Sequence, residues 1–143
     1  MKLGPQGAAL IQRFEGCRLE AYLPTAHDVP TIGYGHTRGV AMGDTCTEAE
    51  AEAWFLEDVA WAEDCVSRAV TATLRQPEFD ALVSLCFNIG CSAFKGSTLV
   101  RLLNEGDYDG AAAQFGRWNK QAGQELAGLT RRRAEEAELF EQA

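Results

Sequence analysis

The chain has 143 residues, 46% of them hydrophobic and 24% charged, enough for one compact domain with a sizeable core and too few for two independent ones. Thirteen Lys and Arg against 21 Asp and Glu leave a net charge of −8, which argues against sequence-independent binding of nucleic acid. No apolar run approaches the roughly 18 residues of a membrane span, and the opening MKLGPQGAALIQRFEG lacks the basic end and long apolar stretch of a signal peptide. These features predict a soluble protein made in the cytoplasm, with no integral membrane segment and no means of export of its own.

Pro5 to Gly16 reads as a short helix: Leu10, Ile11 and Phe14 share a face, Gly16 supplies the stop, and Glu15 falls at the C-terminus. Residues 17–36 change to short alternations broken by Pro24 and Pro30, which predicts two strands around a loop carrying His27 and Asp28. From residue 47 the pattern is helical. Thr47 and Glu50 form a capping box ahead of one long helix with Trp54, Trp61 and Cys65 on its apolar side. Pro77 opens the most hydrophobic helix, which runs through Phe79, Leu82, Val83, Cys86 and Phe87 to Gly90. Further helices are expected at about 97–104, 109–119 and 129–141. The fold class is therefore α+β: a small N-terminal helix-plus-β-hairpin part packed on a larger all-helical part, with a cleft between them as the natural ligand site.

Five cysteines (Cys17, Cys46, Cys65, Cys86 and Cys91) are an odd number with no C-x-x-C pair, and with only His27 and His36 beside them no metal or cofactor is expected. They read as reduced thiols, several in the core. Cys86 and Cys91 would pair only if the turn between them brought them together.

Glu15 stands out on physical grounds. A carboxylate at a helix C-terminus faces the negative end of the helix dipole, and beside Phe14 it loses water; both favour the protonated form that a general acid needs.

The strings Phe14-Glu15-Gly16-Cys17-Arg18-Leu19-Glu20-Ala21-Tyr22 and Thr31-Ile32-Gly33-Tyr34-Gly35-His36-Thr37 together resemble the signature of the phage-type lysozymes, glycoside hydrolase family 24. The similarity continues through Phe79-Asp80-Ala81-Leu82, Phe87-Asn88-Ile89-Gly90, Ser97-Thr98-Leu99, Arg117-Trp118 and Gly128-Leu129-Thr130-Arg131-Arg132-Arg133, covering essentially the whole chain in order.

The resemblance implies a lysozyme-like single catalytic domain over residues 1–143, with no separate wall-binding module. It further implies an endolysin that hydrolyses the β-1,4 bond between N-acetylmuramic acid and N-acetylglucosamine in peptidoglycan by an inverting route. Glu15 would be the proton donor and Thr31 would hold the attacking water, the division of labour that inversion demands.

The family's second carboxylate has no direct counterpart. Counting forward from Glu15 lands on Pro24 and counting back from Thr31 lands on Thr25, so Asp28, the one acid in the loop, becomes the candidate base or water-orienting group. Its competing reading is a turn-capping aspartate. Glu20 is expected to pair with Arg18, and His36 to serve a structural hydrogen bond.

Tyr34, Gly35, Phe87, Asn88 and Gln114 are the expected sugar contacts. Arg131 to Arg133 are expected to meet acids of the fold, with one reaching an active-site carboxylate or the polymer.

The resemblance also implies a monomer whose partner is the peptidoglycan glycan strand. It would stay in the host cytoplasm until a separate membrane-permeabilising phage protein opens the way to the wall. Two alternatives are a lytic transglycosylase using Glu15 alone and a non-catalytic peptidoglycan-binding protein.

Overall fold

A computed structural model describes residues 1–143. The elements in chain order are α1 (Pro5–Glu15), β1 (Arg18–Tyr22), β2 (Thr31–Gly33), α2 (Glu48–Asp58), α3 (Ala60–Ala69), α4 (Gln76–Ile89), α5 (Cys91–Lys95), α6 (Thr98–Asn104), α7 (Tyr108–Gln114), a 3-10 turn (Phe115–Arg117), β3 (Lys120–Gln121), β4 (Gln124–Glu125) and α8 (Ala127–Phe140). Helices dominate and each of the two sheets has two strands, as the α+β expectation requires. None of the helices is long and apolar enough to cross a membrane.

The chain divides into two compact units, Ile11–Ala60 and Met1–Leu10 with Trp61–Ala143. The sequence assigns all of the first helix to the N-terminal part, but the first ten residues belong to the helical unit. The reason lies in Asp80. The first turn of α1 contains no acid, and buried Asp80 of α4 accepts from the backbone N–H of Gly4 at 2.9 Å and of Gly7 at 3.3 Å. A carboxylate there complements the positive end of the helix dipole. Gly7 is required for the approach, because a Cβ on it would stand 2.6 Å from that of Asp80.

In the Ile11–Ala60 unit, β1 and β2 pair antiparallel with a register shift between Arg18 and Tyr22. The other edge of β1 is occupied by residues 44–46: Ala21 N–H donates to Asp44 at 2.9 Å and Cys46 N–H to Leu19 at 2.9 Å. Ile32, Ala51, Phe55 and Val59 are buried together with Ala21. Thr47 and Glu50 make the expected capping box on α2.

The single long helix expected from residue 47 is instead two, separated at Val59. Ala51, Phe55 and Val59 form one buried stripe, whereas Ala62, Cys65 and Val66 form another. Trp61, assigned to the apolar side, is 44% exposed. The two stripes belong to different units, so no one apolar face runs through.

The helical unit is built on α4, which carries Pro77 in its first turn and ends at Gly90 (φ 93°). It packs against α8, while α6 packs against α7. Phe79, Leu82, Leu85, Phe94, Leu99, Leu103 and Phe115 are all fully buried. The predicted helix 109–119 is shorter than expected and gives way to the β3–β4 hairpin. Its loop, Ala122-Gly123, has both residues at positive φ (52° and 81°), as a type I′ turn demands.

The reduced-thiol expectation is corrected for two of the five cysteines. Cys65 and Cys91 form a disulfide with Cα atoms 5.9 Å apart, because the short helix α5, unforeseen in the sequence, begins at Cys91 and sets it beside α3. Cys17, Cys46 and Cys86 are free thiols, and burial pushes that of Cys86 up to about 12.

Candidate active site

Glu15 is the last residue of α1 and is half-buried. Gly16 follows at φ 73°, a conformation that ends the helix and turns the chain into β1. The glycine turn of the second strand comes up against this carboxylate. Ile32 and His36 exchange backbone bonds at 2.9 and 2.8 Å, closing a tight loop in which Gly33 (φ 64°) and Gly35 (φ 84°) are left-handed. A Cβ on Gly35 would stand 3.5 Å from Glu15 Oε1, an ordinary contact distance, so the loop backbone at Gly35 lies beside the acid.

His36 locks that loop to α2. Its Nδ1 lies 2.7 Å from Asp58 Oδ2, and its ring stacks on Trp54 with centroids 4.6 Å apart. The structural role expected of His36 is what these contacts describe. Tyr34, between the two glycines, sets its ring edge-on to Phe55 at 5.7 Å. Burial, then Cys17, then Glu52 raise its phenol above the ordinary range.

Thr31 is buried at the start of β2, and its Oγ1 donates to the Val29 carbonyl at 2.9 Å. Spending the hydroxyl proton on a carbonyl leaves the oxygen's lone pairs as the free functionality. Asp28 is exposed, and its bonds are local: Oδ2 accepts from Thr25 Oγ1 at 3.0 Å and its N–H donates to Thr25 O at 3.1 Å. These close a turn of the kind its sequence suggests. The expected Arg18–Glu20 pair is absent; Arg18 lies over the Tyr22 ring at 4.5 Å, using the planar guanidinium on a π face.

In the helical unit, the neighbours Phe87 and Asn88 point apart, as successive helix residues must. Phe87 stacks on Trp61 with centroids 5.9 Å apart. Asn88 instead lines a 390 Å³ depression with Ile89, Trp118, Lys120, Gln121 and Leu129. Gln114, half-buried at the end of α7, is not among these lining residues.

What holds Asn88 is a network that sequence reasoning missed. Arg133 Nη2 donates to Asn88 Oδ1 at 2.9 Å, which leaves the amide N–H2 outward. Arg133 also contacts Glu136, with Nε 2.7 Å from Oε1 in a purely ionic contact and Nη2 donating to Oε2 at 3.3 Å. Arg132 Nε and Ser84 Oγ complete the set on Glu136. Burial pushes the Glu136 carboxyl up, opposed by Arg133, Ser84 and Arg132. The expectation that the arginine run meets acids of the fold holds for Arg132 and Arg133, both paired with Glu136. Arg132 and Arg133 are interior, 4% and 1% exposed, because their helix turns them onto Glu136 and α4; only Arg131 faces outward. The available signal was the Arg133–Glu136 spacing of i, i+3.

A phage lysozyme family model matches residues 12–136. The chain is 44% identical over 147 aligned positions to an endolysin of Acyrthosiphon pisum secondary endosymbiont phage 1, with all of both chains covered. Among solved structures it is similar to the muramidase domain of SpmX from Asticaccaulis excentricus, with TM-score 0.92, 39% identity and 99% of each chain covered. It is also similar to a P22 lysozyme mutant, with TM-score 0.89, 41% identity and 99% of each chain covered. The fold and these matches define a lysozyme-type enzyme. The chain belongs to the phage lysozyme family.

Proposed function

We infer that the protein is an endolysin that hydrolyses the β-1,4 glycosidic bond of peptidoglycan between N-acetylmuramic acid and N-acetylglucosamine. The observation that carries this reading is the placement of the Glu15 carboxylate beside Gly35, in the loop that continues from Thr31. Glu15 protonates the leaving glycosidic oxygen. Thr31, whose proton is committed to Val29, accepts a hydrogen bond from the incoming water and orients its lone pair towards the anomeric carbon. Asp28 is the remaining carboxylate of the loop and takes the water's proton as the nucleophile adds. Entry of water opposite the leaving group gives inversion. Tyr34, Gly35, Phe87, Asn88 and Gln114 are the proposed sugar contacts. The outward amide of Asn88, fixed by Arg133, suits the carbonyl of an N-acetyl group.

The enzyme acts as a monomer on the glycan strand. It waits in the host cytoplasm and depends on a separate phage protein to breach the membrane. Family membership favours hydrolysis over transglycosylation. Product analysis on purified sacculi tests this: a reducing muramic acid end is expected, and a 1,6-anhydro end contradicts it. The same assay weighs Asp28: Asp28→Asn lowers turnover at least tenfold if the carboxylate handles water, and less than a few-fold if it only closes the turn.

A further inference from the structure

A second depression in the helical unit is built from α3 and α5 and contains none of the proposed catalytic or sugar-contact residues. It has a volume of about 410 Å³, and among its lining are Trp61, Asp64, Arg68, Lys95 and the disulfide-bonded Cys65 and Cys91. A neighbouring depression of about 370 Å³ shares Ala69 and Lys95 with it and continues to Arg101 and Asn104. Lys95 thus borders both depressions.

Three properties of this surface point to a ligand. Trp61 is 44% exposed, yet its ring is braced by Phe87 at 5.9 Å, so a broad apolar face is displayed with little conformational freedom left to lose on binding. Arg68 is neutralised by Asp64 and Arg101 by Glu105, each at 3.1 Å. Lys95 has neither an ion pair nor a side-chain hydrogen bond, and on a chain of net charge −8 it is a local cation awaiting an anion. An aromatic platform beside an unpaired ammonium matches a saccharide that carries a carboxylate.

We propose that the depression between α3 and α5 is a second glycan-binding site, which takes the apolar face of an N-acetyl sugar on Trp61 and a lactyl or stem-peptide carboxylate of peptidoglycan on Lys95. It rests on the wall-hydrolase reading above and adds to it a means of staying on an insoluble, anionic polymer. Substrate is thereby held at two places on one chain, and the linkage raises the effective concentration of glycan at the catalytic residues.

The test is co-sedimentation with purified sacculi, in a Glu15→Gln background so that the polymer survives. Lys95→Glu and Trp61→Ala are each expected to weaken binding at least fivefold, while Lys95→Arg retains it. Arg38→Glu, the same charge change on an exposed residue elsewhere, leaves it within twofold. With Glu15 restored, Lys95→Glu hydrolyses a soluble peptidoglycan oligosaccharide at the parent rate. The proposal is overturned if Lys95→Glu binds sacculi like the parent, if Arg38→Glu is equally impaired, or if Lys95→Glu loses only binding to anionic phospholipid vesicles. Failure of the wall-hydrolase reading shows separately, as an active-site-intact protein that releases no reducing ends from the soluble oligosaccharide.

Discussion

The two units hold their functional groups by different physical means. In Ile11–Ala60 the site is fixed by backbone: a helix stop at Gly16, left-handed glycines at positions 33 and 35, and a loop closed by the Ile32–His36 bonds. In the helical unit Asn88 is fixed by side chains from 45 residues away, through Arg133 and a fully buried Glu136. A left-handed glycine cannot take a side chain without backbone strain, whereas a buried ionic seat fails when either charge is removed.

The largest effect that would break this contrast is on Arg133. Arg133→Met strips Glu136 of its closest cation, leaving Arg132 and Ser84 on a fully buried carboxylate, and should cost about 3 kcal/mol in denaturant unfolding, the low end of the cost of breaking a buried pair. A loss under about 1 kcal/mol would mean that the ionic seat does not hold the unit. Gly35→Ala should cost less, about 1–2 kcal/mol for a left-handed alanine, while turnover falls further than that stability loss explains. Unchanged turnover would dissociate Gly35 from the placement of Glu15.

Smaller still, Ala122→Asn in the hairpin loop should stabilise by roughly 0.5–1 kcal/mol in thermal unfolding, since asparagine tolerates the positive φ that alanine resists. The least visible effect is that of Cys86 and appears only in alkali. Its thiol is raised to about 12 in the fold from an ordinary value of 9.0, so the unfolded chain ionises first. The stability it contributes is complete below about pH 9 and is lost as pH rises from there towards 12. Cys86→Ala should flatten the alkaline slope of unfolding, and in the native protein a thiol reagent near neutral pH should reach exposed Cys17 and spare Cys86.

The same contrast explains what was legible in the sequence. Glu15, Gly16, Thr31, Gly33 and Gly35 lie within one short stretch whose spacing is its own signal, and the helix starts at Thr47 and Pro77 rest on local capping chemistry. The Arg133–Asn88 bond, the Asp80 cap on α1 and the Cys65–Cys91 disulfide join segments between 26 and 76 residues apart, and periodicity carries no information about them. The β3–β4 hairpin escaped for a local reason. Ala-Gly occupies a loop for which Asn-Gly is the recognisable pair. The break at Val59 escaped because helical propensity continues across it, and only the change of buried face marks it.

Everything proposed for the chemistry turns on Glu15, and one comparison tests it: release of reducing ends from purified sacculi by the parent and by Glu15→Gln, alongside their unfolding midpoints. The account predicts a fall of about 10²–10⁴-fold in rate, the contribution of a general acid, with the midpoint unchanged. A Glu15→Gln protein that is stable and retains activity within threefold of the parent would contradict it.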